Sequence, residues 1–254
     1  MQKQKINYLT LQSSYDHVEV ALFENLQKTA FSQLSKFTAS SGLIPLIEST
    51  LAQQNLALKD LDFICASLGP APFTTLRTTI VTLNGISFVT KVPLVGVNGI
   101  ETFAQHALPE CQNLVVILNA FNKSVYFGIR TKNYFNISSA NQEPVRTNQK
   151  PVRGEALEPC TLDHHVTYGW QPIDLFLNNL QTNFGSQPVT MIGQGLTAYV
   201  QELQDLPANF VLDLKYQPFP DIGLIAQQGL KLYLNQQTST ALTPLYLKQA
   251  EPFK

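Results

Sequence analysis

Charge is scarce in this sequence. Only 14% of its 254 residues are Asp, Glu, Lys or Arg, and the formal net charge is −1; soluble domains usually carry about a quarter of charged residues. A protein that binds nucleic acid or an anionic membrane electrostatically concentrates basic residues on one surface. The composition therefore excludes a large basic surface, and Gln, Asn, Ser and Thr take the place of the missing charges.

Cysteines and long apolar runs are also few. Cys65, Cys111 and Cys160 are too few and too scattered for a disulfide framework or a C-x-x-C metal motif, so we interpret them as free thiols in a reducing compartment. The start of the chain lacks the sustained apolar core of a signal peptide. No run approaches the roughly eighteen apolar residues that a membrane helix needs. We therefore expect a cytoplasmic protein with no membrane contact.

Common catalytic and metal-binding motifs are missing as well. The sequence contains no G-x-S-x-G, Walker A, H-E-x-x-H or H-x-x-x-H motif. The adjacent His164 and His165, with Cys160 and Asp163 nearby, would suit zinc only if they converged, and neighbouring residues of an extended chain point to opposite sides. We interpret that segment as a solvated loop, and we predict no metal site and no catalytic residues in this chain.

What the sequence does contain is alternating strand and helix patterns. Hydrophobic residues make up 44% of the chain, enough for a substantial core. The first part predicts the order ββ-α-β-α-β-α, which favours a mixed sheet covered by helices. A second unit begins near Pro109 with two strands, followed by a loop over 139–160, a helix, two strands and a last helix. The predicted fold class is α/β.

One stretch, CASLGPAPFTTLRTTI at 65–80, joins a buried strand to a helix through a tight turn. Such turns hold phosphates in α/β proteins when glycines let backbone N–H groups point inward. Only one glycine remains here, and Pro72 has no N–H to donate. We predict a degenerate phosphate-binding turn, with a purely structural turn as the alternative. Its residues are Gly69, Pro70, Phe73, Thr74 and Arg77.

Arg77 has two roles open to it at this stage. It lies one turn into the helix, where it either binds an anion or pairs with a carboxylate at an interface. The second role is the commoner one.

Two neutral amides stand at strand ends where a magnesium-binding carboxylate would be useful. The first strand ends at Gln12, and the strand at 113–120 ends near Asn119. An amide can hold a ligand, but it cannot abstract a proton or supply the carboxylate that Mg²⁺ prefers. These positions argue against ATP-dependent catalysis by this chain.

The ordered set of motifs resembles the bacterial TsaB (YeaZ) family. GPAPFTTLR at 69–77 is similar to that family's GPGSFTGLR, in the same strand-turn-helix setting. LTLQSSYDHVEVALF at 9–23 resembles its opening LAIDTSTEACSVALW, and VPLVGVNGIETFAQ at 92–105 resembles its LPLIGVSSLEALA. LTPLYLK at 242–248 is similar to its closing EPVYLR. Between these matches and the tail, from about 135 to 215, only the order of elements agrees.

The resemblance implies an actin-like fold of the ASKHA type. Such a fold has two ribonuclease-H-like lobes, each with a mixed sheet and flanking helices. Because the last helix of that fold returns to the first lobe, the expected lobes are 1–108 with 219–254, and 109–218.

The resemblance also implies a supporting subunit without catalysis of its own. Members pair with a TsaD-like subunit and a TsaE-like ATPase, and together these transfer threonylcarbamoyl to adenosine 37 of tRNA. Partner contacts are expected on the helices near 40–55 and 74–88. The apolar faces of these helices are expected partly to complete the core of the lobe and partly to bury against the TsaD-like subunit, and the side chains predicted there are Leu43, Ile47, Leu51, Ile80 and Leu83.

The same resemblance bears on the ligands. It implies no tightly bound cofactor, with ATP or ADP bound only at the interface of the complex. It also implies that tRNA is reached only through the complex. A homodimer is left open.

Departures from the family keep alternatives open. The family's Asp after the first strand is Gln12 here, and its DAR turn reads Asn119-Ala120-Phe121. The chain is then either a supporting subunit or a divergent copy that has lost the tRNA-modification role. An ATP-dependent small-molecule kinase of the same superfold would need a carboxylate at one of these strand ends. A metallopeptidase would need a histidine pair that the sequence lacks.

Overall fold

The structure is a computed structural model that describes residues 5–132, 145–147 and 165–248. These residues form two compact units. One unit runs to Thr102 and resumes over Asp221–Leu245, and the other comprises Phe103–Pro220 and begins again at Tyr246. The tail from Tyr246 thus groups with the second unit, whereas the sequence-based division assigned it to the first. Within the described ranges, no helix combines the length and the hydrophobicity needed to span a bilayer.

Strands and helices alternate along the chain. The strands are β1 Asn7–Ser13, β2 His17–Glu24, β3 Gln27–Ser35, β4 Phe63–Ser67, β5 Leu94–Val97, β6 Leu114–Asn119, β7 Ser124–Thr131, β8 Val145–Thr147, β9 His165–Pro172, β10 Val189–Ile192 and β11 Phe210–Leu212. The helices are α1 Ala39–Ala52, α2 Phe73–Thr90, α3 Gly99–His106, α4 Ile173–Phe184, α5 Gly195–Ala198, α6 Val200–Leu203 and α7 Ile222–Leu234.

The first unit is built on a five-stranded mixed sheet with the order β3-β2-β1-β4-β5. Strands β1, β2 and β3 are antiparallel neighbours, whereas β4 and β5 run parallel to β1. Alternation along β1 sends Leu9 and Leu11 into a core with α1 and α2, and sends Tyr8 into a second core with α7. Both faces of the sheet are therefore covered by helices.

Helix α7 lies close against its face of the sheet. The Sγ of Cys65 donates to the carbonyl of Ile225, and a Cβ on Gly229 would overlap that sulfur, so the glycine allows the close approach. Burial raises the pKa of the Cys65 thiol, which makes it an unreactive core residue. Asp221 starts the helix by accepting a hydrogen bond from the N–H of Gly223 at 2.7 Å.

The second unit has a six-stranded sheet with the order β11-β10-β6-β7-β9-β8. Strands β6, β7, β9 and β8 are antiparallel neighbours, and β10 and β11 run parallel to β6. Apart from the added β8, the strands follow the same order as in the first sheet: β9, β7, β6, β10 and β11 take the places of β3, β2, β1, β4 and β5. Its core joins β6 and β7 to α4, and Phe127 and Phe176 stack there with ring centroids 5.0 Å apart.

Three strands were not predicted from the sequence. Strand β3 lies at the edge of the first sheet, and its alternation is obscured because most of its side chains are polar and only Ala30 is buried. Strand β9 shows no alternation either, because Val166, Thr167 and Tyr168 are buried in succession, and Val145–Thr147 pairs with it. The predicted loop over 139–160 is therefore wrong at Val145–Thr147. The rest of that loop, which includes Cys160, lies outside the described residues, as do the neighbouring Asp163 and His164.

Candidate functional site

The predicted phosphate-binding turn connects β4 to α2, and its backbone groups are largely engaged with its own unit. Gly69 adopts a positive φ of 103° and is followed by a cis peptide bond to Pro70. The carbonyl of Gly69 accepts from the N–H of Gly99 at 3.0 Å, and its own N–H donates to the Oγ of Ser67 at 3.4 Å. Pro70 and Pro72 have no N–H. Within 69–72, two residues therefore have no N–H to offer an anion, and the N–H of Gly69 is already engaged.

Close packing also fills the space inside this turn. A Cβ on Gly69 would lie 2.9 Å from a methyl group of Leu76, and a Cβ on Gly99 would lie 2.7 Å from the Oγ of Ser67. The two glycines thus allow the first turn of α2 and the start of α3 to meet β4 at close range. This geometry is that of a packed joint between a strand and two helices.

The predicted residues of the turn that belong to α2 are exposed to solvent. Phe73 and Thr74 are exposed on the first turn of α2. The exposed Arg77 guanidinium stacks over the Phe73 ring, 3.6 Å from its centroid. Arg77 therefore lies on the outer surface of α2 together with an aromatic side chain.

The first strand end holds a carboxylate that the sequence analysis missed. Gln12 is buried, and its cross-strand partner in the β1–β2 hairpin is Glu19. Directly opposed residues place their side chains on the same face of the sheet. Burial raises the pKa of Glu19, and its contact with His17, 3.3 Å away, opposes that shift. Counting the hairpin register outward from the turn at Tyr15-Asp16 would have paired Glu19 with Gln12.

Asn119 at the end of β6 is engaged in the structure of its own turn. Its Oδ1 accepts from the N–H of Phe121 at 2.7 Å and from the hydroxyl of Tyr199 at 2.8 Å, and its N–H donates to Gln194 at 3.2 Å. The next turn residues, Phe121-Asn122-Lys123, all have positive φ. The amide thus stabilises a left-handed turn that few side chains favour. In the described residues, no group of three His, Cys, Asp or Glu side chains is placed to hold a metal ion.

The structure corrects the side chains predicted to contact a partner. All five are at most 2% exposed and form the core beneath α1 and α2. They are Leu43, Ile47, Leu51, Ile80 and Leu83. The helical spacing was interpreted correctly as an apolar stripe, but that stripe faces the sheet. A side chain buried in this core cannot contact another protein without unfolding the unit.

Other apolar side chains of the same helices do face outward. Ile44 on α1 and Val81 on α2 are 54% and 68% exposed, and Phe88 near the end of α2 is 76% exposed. Because α1 and α2 pack against each other on one face of the sheet, these side chains belong to one helical layer. Sequence periodicity places residues on faces, but it does not say which face meets the core.

Two mixed sheets with this strand order and helices on their faces define the actin-like ASKHA class of proteins, as predicted. An uncharacterized protein from Pseudomonas aeruginosa with similarity to peptidase YEAZ has this fold, with a TM-score of 0.67 and 18% identity over 96% of this chain and 100% of that chain. YeaZ from the same organism matches with a TM-score of 0.61 and 17% identity, covering 92% of this chain and 95% of that chain. At such identities the likeness shows the fold alone.

The chain belongs to the family described as TsaD: tRNA N6-adenosine threonylcarbamoyltransferase, whose model matches residues 33–210. A relative from Haemophilus influenzae, named tRNA threonylcarbamoyladenosine biosynthesis protein TsaB, is 29% identical over 126 residues. That match covers 49% of this chain and 53% of the relative, so the chain spans about half the length of this protein. The predicted resemblance to TsaB (YeaZ) proteins is confirmed.

Proposed function

We propose that this chain is a TsaB-like supporting subunit in the biosynthesis of threonylcarbamoyladenosine in tRNA. It would bind a TsaD-like transferase subunit and work with a TsaE-like ATPase, and it would reach tRNA only through the complex. The observation that carries the proposal is the outward display of Ile44, Val81 and Phe88 on a helix layer whose core is already complete.

The exposed apolar side chains favour a protein partner. Exposed large apolar groups clustered on one surface commonly mark interaction sites, and interface cores are enriched in aromatic side chains. These side chains are not part of the core beneath α1 and α2. Their burial against a partner would supply the apolar contact on which lasting association depends.

The polar strand ends support a role without catalysis. Asn119 already accepts two hydrogen bonds from its own unit, and the neutral Gln12 supplies no carboxylate for magnesium. Glu19, the carboxylate opposite Gln12, has a raised pKa because of its burial, so its charged form lies there at a cost in free energy. We infer that this chain holds no nucleotide tightly by itself and that any ATP or ADP binds at the interface of the complex.

The proposal is tested with matched substitutions of two exposed helical valines. Val81→Asp places a charge on the proposed interface, and Val200→Asp makes the same change on α6 of the second unit, where the valine is 57% exposed. We expect Val81→Asp to abolish co-purification with the TsaD-like subunit of the same cell, and Val200→Asp to leave it intact. Circular dichroism checks that both variants fold.

A cellular assay completes this test. The wild-type chain should restore threonylcarbamoyladenosine in tRNA of a strain depleted of its own TsaB, and Val81→Asp should not. Equal recovery of the complex with wild type and Val81→Asp would contradict the proposed interface, and failure of the wild type in both assays would contradict the proposed function.

A further inference from the structure

The turn between β6 and β7 has a backbone that few side chains favour. Phe121, Asn122 and Lys123 follow one another with φ values of 57°, 50° and 49°. Residues other than glycine seldom adopt this left-handed region, and here three do so in succession. Such a conformation persists only where the surrounding contacts hold it. The groups that contact this left-handed turn therefore decide whether it forms.

Donors of the second unit meet the carbonyl groups of this turn. The carbonyl of Lys123 accepts from the N–H of Ile173, the first residue of α4, at 2.9 Å. The carbonyl of Asn122 accepts from the hydroxyl of Ser124 at 3.1 Å. The carbonyl of Phe121 accepts from the N–H of Ser124, also at 3.1 Å. The left-handed turn thus presents carbonyl oxygens to the donors around it.

A cation from the C-terminal tail reaches the same turn. The Nζ of Lys248 donates to the carbonyl of Ala120 at 3.3 Å and to the carbonyl of Phe121 at 3.4 Å. It also lies 5.4 Å from the centroid of the Trp170 ring on β9. Lys248 and Trp170 are half-buried, and Ala120 is buried. The two carbonyls and the ring form an ammonium cage, which the side chain of Lys248 occupies.

The chemistry of the ammonium cage favours a positively charged donor. Carbonyl oxygens accept hydrogen bonds, and the face of an indole ring is electrostatically negative. A lysine ammonium group has three N–H donors and no acceptor, and a hydrogen bond from a charged donor is stronger than one between neutral groups. The charge of Lys248 should therefore contribute more to this contact than its aliphatic stem does.

We propose that Lys248 is a detachable clip. Its ammonium group holds the left-handed turn and the C-terminal tail in one closed arrangement, and loss of the charge opens both together. Because the N–H of Phe121 donates to the Oδ1 of Asn119 at 2.7 Å, opening also loosens the amide at the end of β6. The alternative is that the buried Leu247 holds the tail by apolar packing, in which case the charge has no effect. The inference does not depend on the proposed function.

The main test compares Lys248→Met with wild type. Methionine keeps an unbranched apolar stem but removes the charge and the donors. We expect hydrogen exchange at the N–H groups of Phe121 and Ser124 to become about tenfold faster. We also expect chymotrypsin to cleave the tail faster after Tyr246, which is 49% exposed. Lys215→Met, the same change at an exposed site of the second unit, should alter neither rate.

An added amine tests the ammonium cage directly. Lys248→Ala empties the cage, and propylammonium supplies the part of the lysine side chain beyond its Cβ. We expect saturating propylammonium chloride to restore slow exchange of the turn in Lys248→Ala, whereas propanol or sodium chloride at the same concentration should not. Lys248→Arg, which keeps a charged donor, should retain slower exchange and slower cleavage than Lys248→Met.

Several results would overturn the inference. Equal exchange and cleavage rates in wild type and Lys248→Met would do so, and so would faster cleavage of the tail with unchanged exchange of the turn. Rescue of Lys248→Ala by propanol as well as by propylammonium would show that the cage holds an apolar group and not a charge. Circular dichroism checks that each variant folds. If Lys248→Met does not fold, Lys248→Gln, which also lacks the charge, is measured in its place.

Discussion

At the scale of single residues, the buried guanidinium of Arg130 is held by backbone carbonyls. Arg130 is 1% exposed, and its guanidinium donates to carbonyls at and beyond the end of α3. The acceptors are the carbonyl oxygens of Ala104, Gln105, Ala107, Leu108 and Cys111. The last carbonyls of a helix lack partners within the helix and carry partial negative charge. Arg130 therefore ends α3 and stabilises the second unit.

Replacing Arg130 should strongly destabilise the second unit. Arg130→Met keeps much of the apolar volume but leaves several buried carbonyls without donors, so we expect a loss on the order of 3 kcal/mol. Urea unfolding followed by the fluorescence of Trp170, the single tryptophan of the chain, reports on this unit. Arg130→Lys, which keeps the charge with fewer donors, should lose less. An unchanged urea midpoint for Arg130→Met would contradict this role.

Glu19 should make stability depend on pH. Burial raises its pKa in the folded chain, against the opposing effect of His17 and with an added contribution from Asp221. A carboxyl group with a raised folded pKa makes the folded state less stable as pH rises through and above the ordinary carboxyl range. We therefore expect Glu19→Gln to melt at a higher temperature than wild type at neutral pH.

Measuring the same two proteins across a range of pH provides the control for this prediction. As Glu19 becomes protonated in acid, the difference in melting temperature between Glu19→Gln and wild type should shrink. Glu48→Gln, at an exposed position of α1, should show no comparable trend. A constant difference across the range would mean that Glu19 acts through packing or hydrogen bonding and not through its charge.

At the scale of elements, the C-terminal tail of the first unit is attached to α2. The Asn84 side chain donates to the carbonyl of Leu242 at 2.9 Å and accepts from its N–H at 2.8 Å. Earlier in the tail, Ser239 forms two backbone hydrogen bonds with Leu94 of β5, both 2.8 Å long. The tail therefore extends the sheet edge and crosses the inner side of α2.

Asn84→Ala should release this tail. It removes a donor and an acceptor at once, so we expect faster hydrogen exchange and faster proteolysis over 239–245, with a loss of about 1–2 kcal/mol in the stability of the unit. Asn84→Asp keeps the acceptor but sets a carboxylate oxygen against the carbonyl of Leu242, so it should release the tail as well. Equal exchange rates in wild type and Asn84→Ala would show that apolar packing of Leu242 holds the tail by itself.

At the scale of the whole molecule, two stretches of the chain with unlike sequences form sheets with the same strand order. The order β3-β2-β1-β4-β5 and the order β9-β7-β6-β10-β11 are equivalent, although no sequence repeat is visible. Local alternation and helical spacing were sufficient to predict the central strands and most helices, because buried elements have strong apolar patterns. They were not sufficient for β3, an edge strand of mostly polar residues, or for β9, whose buried residues do not alternate with exposed ones. Both are strands because a neighbour pairs with them.

The candidate site shows the same limit. The turn at Gly69 and the amides Gln12 and Asn119 are visible in the sequence, since they depend on residue type at a strand end. The hydrogen bond from Tyr199 to Asn119 is not visible in the sequence, because those residues are far apart in the chain. The sequence also does not show that Ile44 faces outward while Leu43 is buried, because this depends on which side of α1 meets the sheet.

The sequence by itself determined the fold class, the family resemblance and the absence of recognisable catalytic motifs, because each of these depends on local pattern and residue type. Only the tertiary structure decided which side chains of α1 and α2 are buried and which face outward. It also placed Glu19 beside Gln12. The physical reason is that burial belongs to the contact between elements, and a periodic pattern along one helix does not specify what lies on either side of it.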